Sequence, residues 1–206
     1  MMIRMLSICL LILSINAKAQ KGYQIGDIAS DFSLKSTDEK NVSLSSYPNA
    51  KGYIVVFTCN TCPVSKAYQG RIEYLNKEFV SKGYPVIAIN TNDPETSPGD
   101  SYENMQKLAK EKNFSYAYLE DPNHVYTKMY GATKTPHTFV LQKTAKGNQV
   151  AYIGAIDQSQ DLFSSEVNVD FVKNAVNSLL RGEKPKVATT KAIGCSIKWK
   201  KDGTSD

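Results

Sequence analysis

An unbroken apolar run, GYIVVF (52–57), passes directly into TCNTCP (58–63), and a helical pattern begins at that proline. A strand apolar at every position, rather than every second one, is covered on both faces. From Pro63 to Lys82, Val64, Ala67, Tyr68, Ile72, Leu75 and Phe79 recur at helical spacing, with Lys66, Glu73, Lys77 and Glu78 on the other side. Pro63 suits the first helical position, where a missing N–H costs nothing, and Gly83 suits the stop. A buried strand that hands over directly to an amphipathic helix commits the chain to layers of alternating β and α elements.

The remaining pattern agrees. DFSL and NVSL, within 31–47 and separated by STDEK, read as a hairpin. PVIAIN (85–90) is a second buried strand. Asp100 with Glu103 resembles a capping box opening a helix through Lys112, with Tyr102, Met105, Leu108 and Ala109 inward. SYAYL (115–119) is strand-like, and a short helix spans His124–Tyr130. His137–Leu141 and Gln149–Ile153 form a strand pair turning at AKGN, and a last helix runs over 169–181. The expected class is α/β: a central mixed sheet flanked by helices, with an N-terminal β-hairpin and an irregular C-terminal tail.

The ends fix the context. Residues 1–19 combine Arg4, an apolar stretch to Leu13 and the small-x-small end Ala17-Lys18-Ala19. That is a secretory signal, too short to span a membrane. The expected organisation is a signal peptide over 1–19, one domain over 20–182, and a tail over 183–206 packing on it. The mature protein is then exported, periplasmic or extracellular, with no transmembrane segment. The formal net charge of +5 falls by two once Arg4 and Lys18 leave. With no basic stripe, nucleic acid is excluded as a partner. Of four cysteines, Cys9 leaves with the signal, so Cys59, Cys62 and Cys195 remain. An odd count argues for one close pair and a leftover thiol rather than a disulfide scaffold.

Two cysteines at a strand end and helix start are placed for thiol chemistry. Free N–H groups and the positive dipole end favour thiolate over thiol, moving such cysteines from about 8.5 to about 3.5–7.5. The competing reading is an inert local disulfide. Further along, Thr135-Pro136 stands immediately before HTFVLQ, and a proline opening a strand cannot donate to the ladder.

VVFTCNTCP and YGATKTPHTFVL…VAYIGAID together resemble the thioredoxin-like superfamily, in which the redox cysteines face a cis-proline loop. The N-terminal hairpin and the insert around 91–112 are more similar to its peroxiredoxin-like branch, the redoxin or alkyl hydroperoxide reductase/thiol-specific antioxidant group. IGCSIKWK (193–200) resembles the tail of a subgroup of that branch. The resemblance covers roughly residues 24–200. It implies thiol–disulfide exchange through Cys59 and Cys62, with Thr135 and Pro136 binding the substrate chain as an added strand. Two alignments assign the sulfurs differently. Matching C-x-x-C to C-x-x-C makes Cys59 the nucleophile, whereas counting from Phe57, or matching Cys62-Pro63, nominates Cys62. The alternative implied activity is a thiol peroxidase using Cys62, with Cys59 or Cys195 resolving. Against it, Val55 and Cys59 replace the proline and threonine of P-x-x-x-T/S-x-x-C, and Lys134 is the nearest cation where an arginine is expected.

The auxiliary candidates are Cys195, His137 and Lys134. Cys195 either resolves a mixed disulfide or packs the tail as a buried, inert thiol beside Trp199. His137 either approaches the sulfurs or is a surface residue at a strand start. A copper- or zinc-binding or redox-inert interaction protein is the reading of another class, although the preferred one has neither metal nor cofactor. Asp93 and Asp157 read as loop residues. The expected partners are protein or small-molecule thiols and disulfides, with a separate redox partner.

Overall fold

The computed structural model describes residues 22–158 and 170–201; the expected signal segment lies outside them. Strand β4 (Gly52–Thr58) is buried at all seven positions. It is sandwiched between β5 (Val86–Asn90), parallel to it, and β8 (His137–Thr144), antiparallel to it. Successive side chains enter opposite cores: Ile54 and Val56 belong to one apolar cluster, Val55 and Phe57 to the other. That is why the run is apolar throughout.

Helix α1 (Pro63–Phe79) lays Tyr68, Ile72, Leu75 and Phe79 on the first face. Met105 of α2 (Tyr102–Lys112) and Val172 and Val176 of α4 (Asp170–Leu180) join them there. A short 3-10 turn, Val80–Lys82, ends α1 at Gly83, whose φ of 91° favours glycine. On the second face lie Phe32, Leu44 and Tyr130, the last from α3 (Val125–Tyr130).

Strand β6 (Ala117–Glu120) extends the sheet parallel to β5. Strand β9 (Gly147–Gly154) pairs with β8, and β1 (Ile28–Ala29) with β9, both antiparallel. The order is β1-β9-β8-β4-β5-β6, a mixed sheet with helices on both faces, as the sequence leads one to expect. The hairpin is present as β2 (Leu34–Lys35) and β3 (Asn41–Val42).

Two regions differ from expectation. Helix α2 starts after Ser101, whose hydroxyl accepts from Asn104 N–H at 3.4 Å, so Asp100 is not its cap. The tail is not irregular throughout: β10 (Cys195–Ser196) pairs antiparallel with β7 (Lys134–Thr135), and Ile197 is buried in the second core. Covering an isoleucine contributes roughly 2 kcal/mol, which helps hold the tail on the domain.

Candidate active site

The sheet directs four chain segments to one place. β4 ends at Thr58, so Cys59 is the first residue of the turn, and Cys62 is the N-cap of α1 with Pro63 behind it. Cys62 has extended backbone (φ −64°, ψ 125°), and its carbonyl accepts from Lys66 N–H at 2.9 Å. Cys62 thus opens the helix, the end at which a helix favours negative charge, with no side-chain hydrogen bond spent on capping.

The turn is held by a carboxylate from a distant loop. Asp100 is buried, and its Oδ1 accepts the Asn60 N–H at 2.5 Å. Its Oδ2 accepts from the Thr61 hydroxyl (2.7 Å), the Ser97 hydroxyl (2.7 Å) and Asn92 Nδ2 (2.9 Å). Asn60 is fixed again through its side chain, which donates to Gly99 O and accepts from the Tyr118 hydroxyl at 2.7 Å. Burial, then the proximity of Cys59 and Asp100, drives the Tyr118 phenol well above its ordinary value, so it stays a donor. Nothing in the sequence marks Asp100 for this work, because an acidic residue before a helix is equally apt as a cap.

Opposite the turn stands Thr135, joined to Pro136 by a cis peptide bond as expected. Thr135 meets both sulfurs. The Cys59 thiol donates to its Oγ1 at 3.3 Å and approaches Ser65 Oγ at 3.7 Å, while Cys62 Sγ is 3.4 Å from its carbonyl oxygen.

Cys62 is disulfide-bonded to Cys195, 133 residues away, with the Cα atoms 6.0 Å apart. Cys59 is a buried free thiol. The oxidised pair here is therefore not the C-x-x-C ring expected from spacing. The reason lies in the tail: β10 sets Cys195 directly against Thr135, the residue whose carbonyl touches Cys62. This also corrects the reading of Cys195 as an inert thiol. Trp199 instead packs on His124, with ring centroids 4.9 Å apart.

The other candidates are placed less directly. Lys134 Nζ donates to Ser196 Oγ at 3.2 Å, tying β7 to the tail. His137 is not a surface residue: β8 is an interior strand, and the imidazole is buried against Phe139, its Nδ1 accepting from Thr133 N–H. Burial lowers its pKa to about 4, so it is neutral. Asp157 does lie in a loop, after β9, and it is buried there, pairing with Arg71 at 3.0 Å and accepting from the Tyr68 hydroxyl at 2.7 Å. Among the described residues, no group of three His, Cys, Asp or Glu side chains gathers to hold a metal ion, and no helix is long and apolar enough to cross a membrane.

Residues 25–149 match the model of the AhpC/TSA family. The chain belongs to that family. This AhpC/TSA protein matches no curated protein. Among solved structures, it is similar to an uncharacterized conserved protein from Geobacillus kaustophilus, 31% identical over 87% of this chain and 94% of that one, with a TM-score of 0.80. A peroxidoxin from Mycobacterium tuberculosis is 20% identical (77% and 96% covered, TM-score 0.55). A putative thiol:disulfide interchange protein DsbE from Chlorobium tepidum is 19% identical (63% and 84% covered, TM-score 0.53). The last two share the thioredoxin-like fold. Family, fold and the Cys62–Cys195 disulfide at a strand-to-helix turn together support thiol redox chemistry in general.

Proposed function

We propose that this protein is an exported thiol–disulfide oxidoreductase in which Cys62 attacks and Cys195 resolves. The observation that carries this reading is the disulfide joining the N-cap cysteine of α1 to the tail cysteine. In the dithiol form, the Cys62 thiolate attacks one sulfur of a substrate disulfide, and the other substrate sulfur leaves as a thiolate. The Cys195 thiolate then attacks Cys62 Sγ, expelling the substrate's second thiol and leaving the Cys62–Cys195 disulfide. Two electrons pass to the substrate, and an external dithiol restores the enzyme. Thr135 and Pro136 form the substrate-binding edge, and Lys134 fastens the tail through Ser196. His137, neutral and turned to Thr133, serves the packing of β8. Cys59, bonded to Thr135 Oγ1, is the alternative partner of Cys62 in a C-x-x-C exchange.

Insulin reduction with dithiothreitol separates these assignments. Cys62→Ser abolishes turnover and Cys195→Ser traps mixed disulfides, while Cys59→Ser retains turnover. Full activity in Cys62→Ser refutes the proposal, and loss in Cys59→Ser with retention in Cys195→Ser transfers the resolving role to Cys59. N-terminal sequencing of secreted protein beginning at Gln20 supports export.

A second reading is favoured by Cys62-Pro63 and by a disulfide to a remote cysteine. In it, the Cys62 thiolate attacks a hydroperoxide, giving a sulfenic acid and an alcohol, and Cys195 then forms the disulfide with loss of water. Mass spectrometry of peroxide-treated Cys195→Ser finds sulfenic acid at Cys62 if this holds, and an unchanged thiol excludes it.

A further inference from the structure

The tail occupies the place where a substrate would bind. Among the described residues β7 pairs only with β10, in the register Cys195↔Thr135 and Ser196↔Lys134. The segment docks with the period of a strand: Cys195 faces the site, Ser196 is exposed, and Ile197 is buried in the second core at 5% exposure. Gly194 approaches so closely that a Cβ there would lie 2.1 Å from the Thr135 oxygen and 2.6 Å from its carbonyl carbon. Backbone cannot yield by that much cheaply, so glycine is required before the docked cysteine. Gly194-Cys195-Ser196-Ile197 thus describes, from inside the molecule, what this edge accepts.

We propose that this stretch is a built-in stand-in for the substrate, and that the substrate is an extended polypeptide segment bearing a disulfide-bonded cysteine with glycine immediately before it and an apolar residue two places after. The inference rests on Cys62 being the exchange thiol. In the dithiol form the tail leaves the edge, and the partner strand takes its register beside Thr135. The Cys62 thiolate attacks the partner cysteine, whose former disulfide mate departs as a thiolate. Cys195 attacks Cys62 Sγ in line, opposite the partner's sulfur, which departs as a thiolate. The tail then settles into the register that the partner strand held, and because both strands need the same backbone, its return keeps the product from rebinding. A residue with a Cβ at the glycine position, in tail or partner alike, weakens docking.

The test uses synthetic peptides of sequence IGCSIK with the cysteine held as a thionitrobenzoate disulfide, so that attack at the peptide sulfur releases coloured thionitrobenzoate. Cys195→Ser protein is mixed with this peptide, with its glycine-to-alanine counterpart and with one carrying serine in place of the second isoleucine; mass spectrometry locates the adduct. The parent peptide is expected to react with Cys62 at least about tenfold faster than either altered peptide, the ratio that an overpacked contact or a lost buried side chain implies. Fully reduced wild-type chain, in which the same release is read, gives the same ranking if the variant folds poorly. Adding Gly194→Ala to the variant loosens the tail and speeds the parent peptide. Equal rates for the three peptides, with all adducts at Cys62, overturn the stand-in while leaving exchange intact. Absence of reaction with every peptide and with the free thionitrobenzoate disulfide overturns the exchange reading, and the inference falls with it.

Discussion

Replacing Asp100 tests whether the cysteine turn is held from outside itself. Its carboxylate is 3% exposed and receives four donors: Asn60 N–H, the Thr61 and Ser97 hydroxyls, and Asn92 Nδ2. That is close to all an ionised carboxylate can accept. In Asp100→Asn the new amide has two orientations. With its NH2 at Oδ1, it faces the Asn60 N–H, donor against donor. With NH2 at Oδ2, the two hydroxyls can rotate to accept, but Asn92 Nδ2 cannot. Turning the Asn92 amide over would break the bond by which its Oδ1 accepts Lys198 N–H at 2.9 Å. Either way one buried donor loses its acceptor, and the charge assistance to the others is lost. The expected destabilisation is about 2–4 kcal/mol for Asp100→Asn and about 3–5 kcal/mol for Asp100→Ala. Ser97→Ala, which removes a single donor, costs about 1 kcal/mol. Because Asn60 N–H fixes the turn before Cys62, exchange should also slow by about 10–100-fold in Asp100→Asn, the penalty of a misplaced reacting group. Urea unfolding and the thionitrobenzoate assay read the two quantities. An Asp100→Asn protein within about 0.5 kcal/mol of wild type and equally fast refutes the clamp, since surface substitutions alone stay in that range.

Three further outcomes are expected. The His137 pKa lies at about 4 in the folded protein, below the 6.5 of a free imidazole, so the unfolded chain binds a proton that the folded one refuses. Stability is therefore full above pH 6.5 and lost as pH falls toward 4, by about 3 kcal/mol from this residue; His137→Leu should flatten that slope in urea titrations near pH 7 and pH 4.5, and an unchanged slope refutes the assignment. Reducing the Cys62–Cys195 bond opens a loop with sequence separation 133, which lowers unfolding free energy by up to about 5 kcal/mol in the chain-entropy picture. Calorimetry with and without reductant checks it, and Cys59→Ser should respond to reductant as wild type does. Asp157→Ala removes the buried carboxylate that pairs with Arg71 at 3.0 Å and accepts from the Tyr68 hydroxyl, and breaking a buried pair from one side costs up to about 3–5 kcal/mol; thermal unfolding at neutral pH measures it.

What the sequence discloses and what it conceals divide along the range of the interaction. β4, α1 and β5 follow from local pattern, because a strand covered on both sides must be apolar throughout and a helix on one face must repeat at its own period. Thr135-Pro136 could be tied to the cysteines only through a resemblance, since 73 residues separate Cys62 from Thr135 and local pattern carries no such distance. His137 was open to misreading because strand order decides its exposure. At the end of an edge strand it would face water, but β8 lies between β4 and β9. Asp100 hides behind its second aptitude, as acidic residues before helices are ordinarily caps. The Cys62–Cys195 pairing was least legible of all. Spacing favoured Cys59 as the mate of Cys62, and only the docking of the tail on β7 brings Cys195 nearer in effect than a residue three positions away.

The two nearby cysteines also stop being interchangeable once their backbones are considered. Cys59 follows the last residue of β4, and its thiol donates to Thr135 Oγ1 and lies near Ser65 Oγ, two hydroxyls that can turn to donate in their own right. Cys62 is at the N-cap of a seventeen-residue helix with no side-chain hydrogen bond spent on capping. The first-turn N–H groups therefore remain available to a negative sulfur, whether it is the attacking thiolate or the leaving group when the disulfide is opened. An oxygen at Thr135 touches each sulfur, yet what it receives differs: from Cys59 a proton, from Cys62 a contact that becomes a hydrogen bond only in the reduced, protonated state. The asymmetry is one of position: Cys62 opens the helix and is joined to the tail, whereas Cys59 stays a free, buried thiol between two hydroxyls.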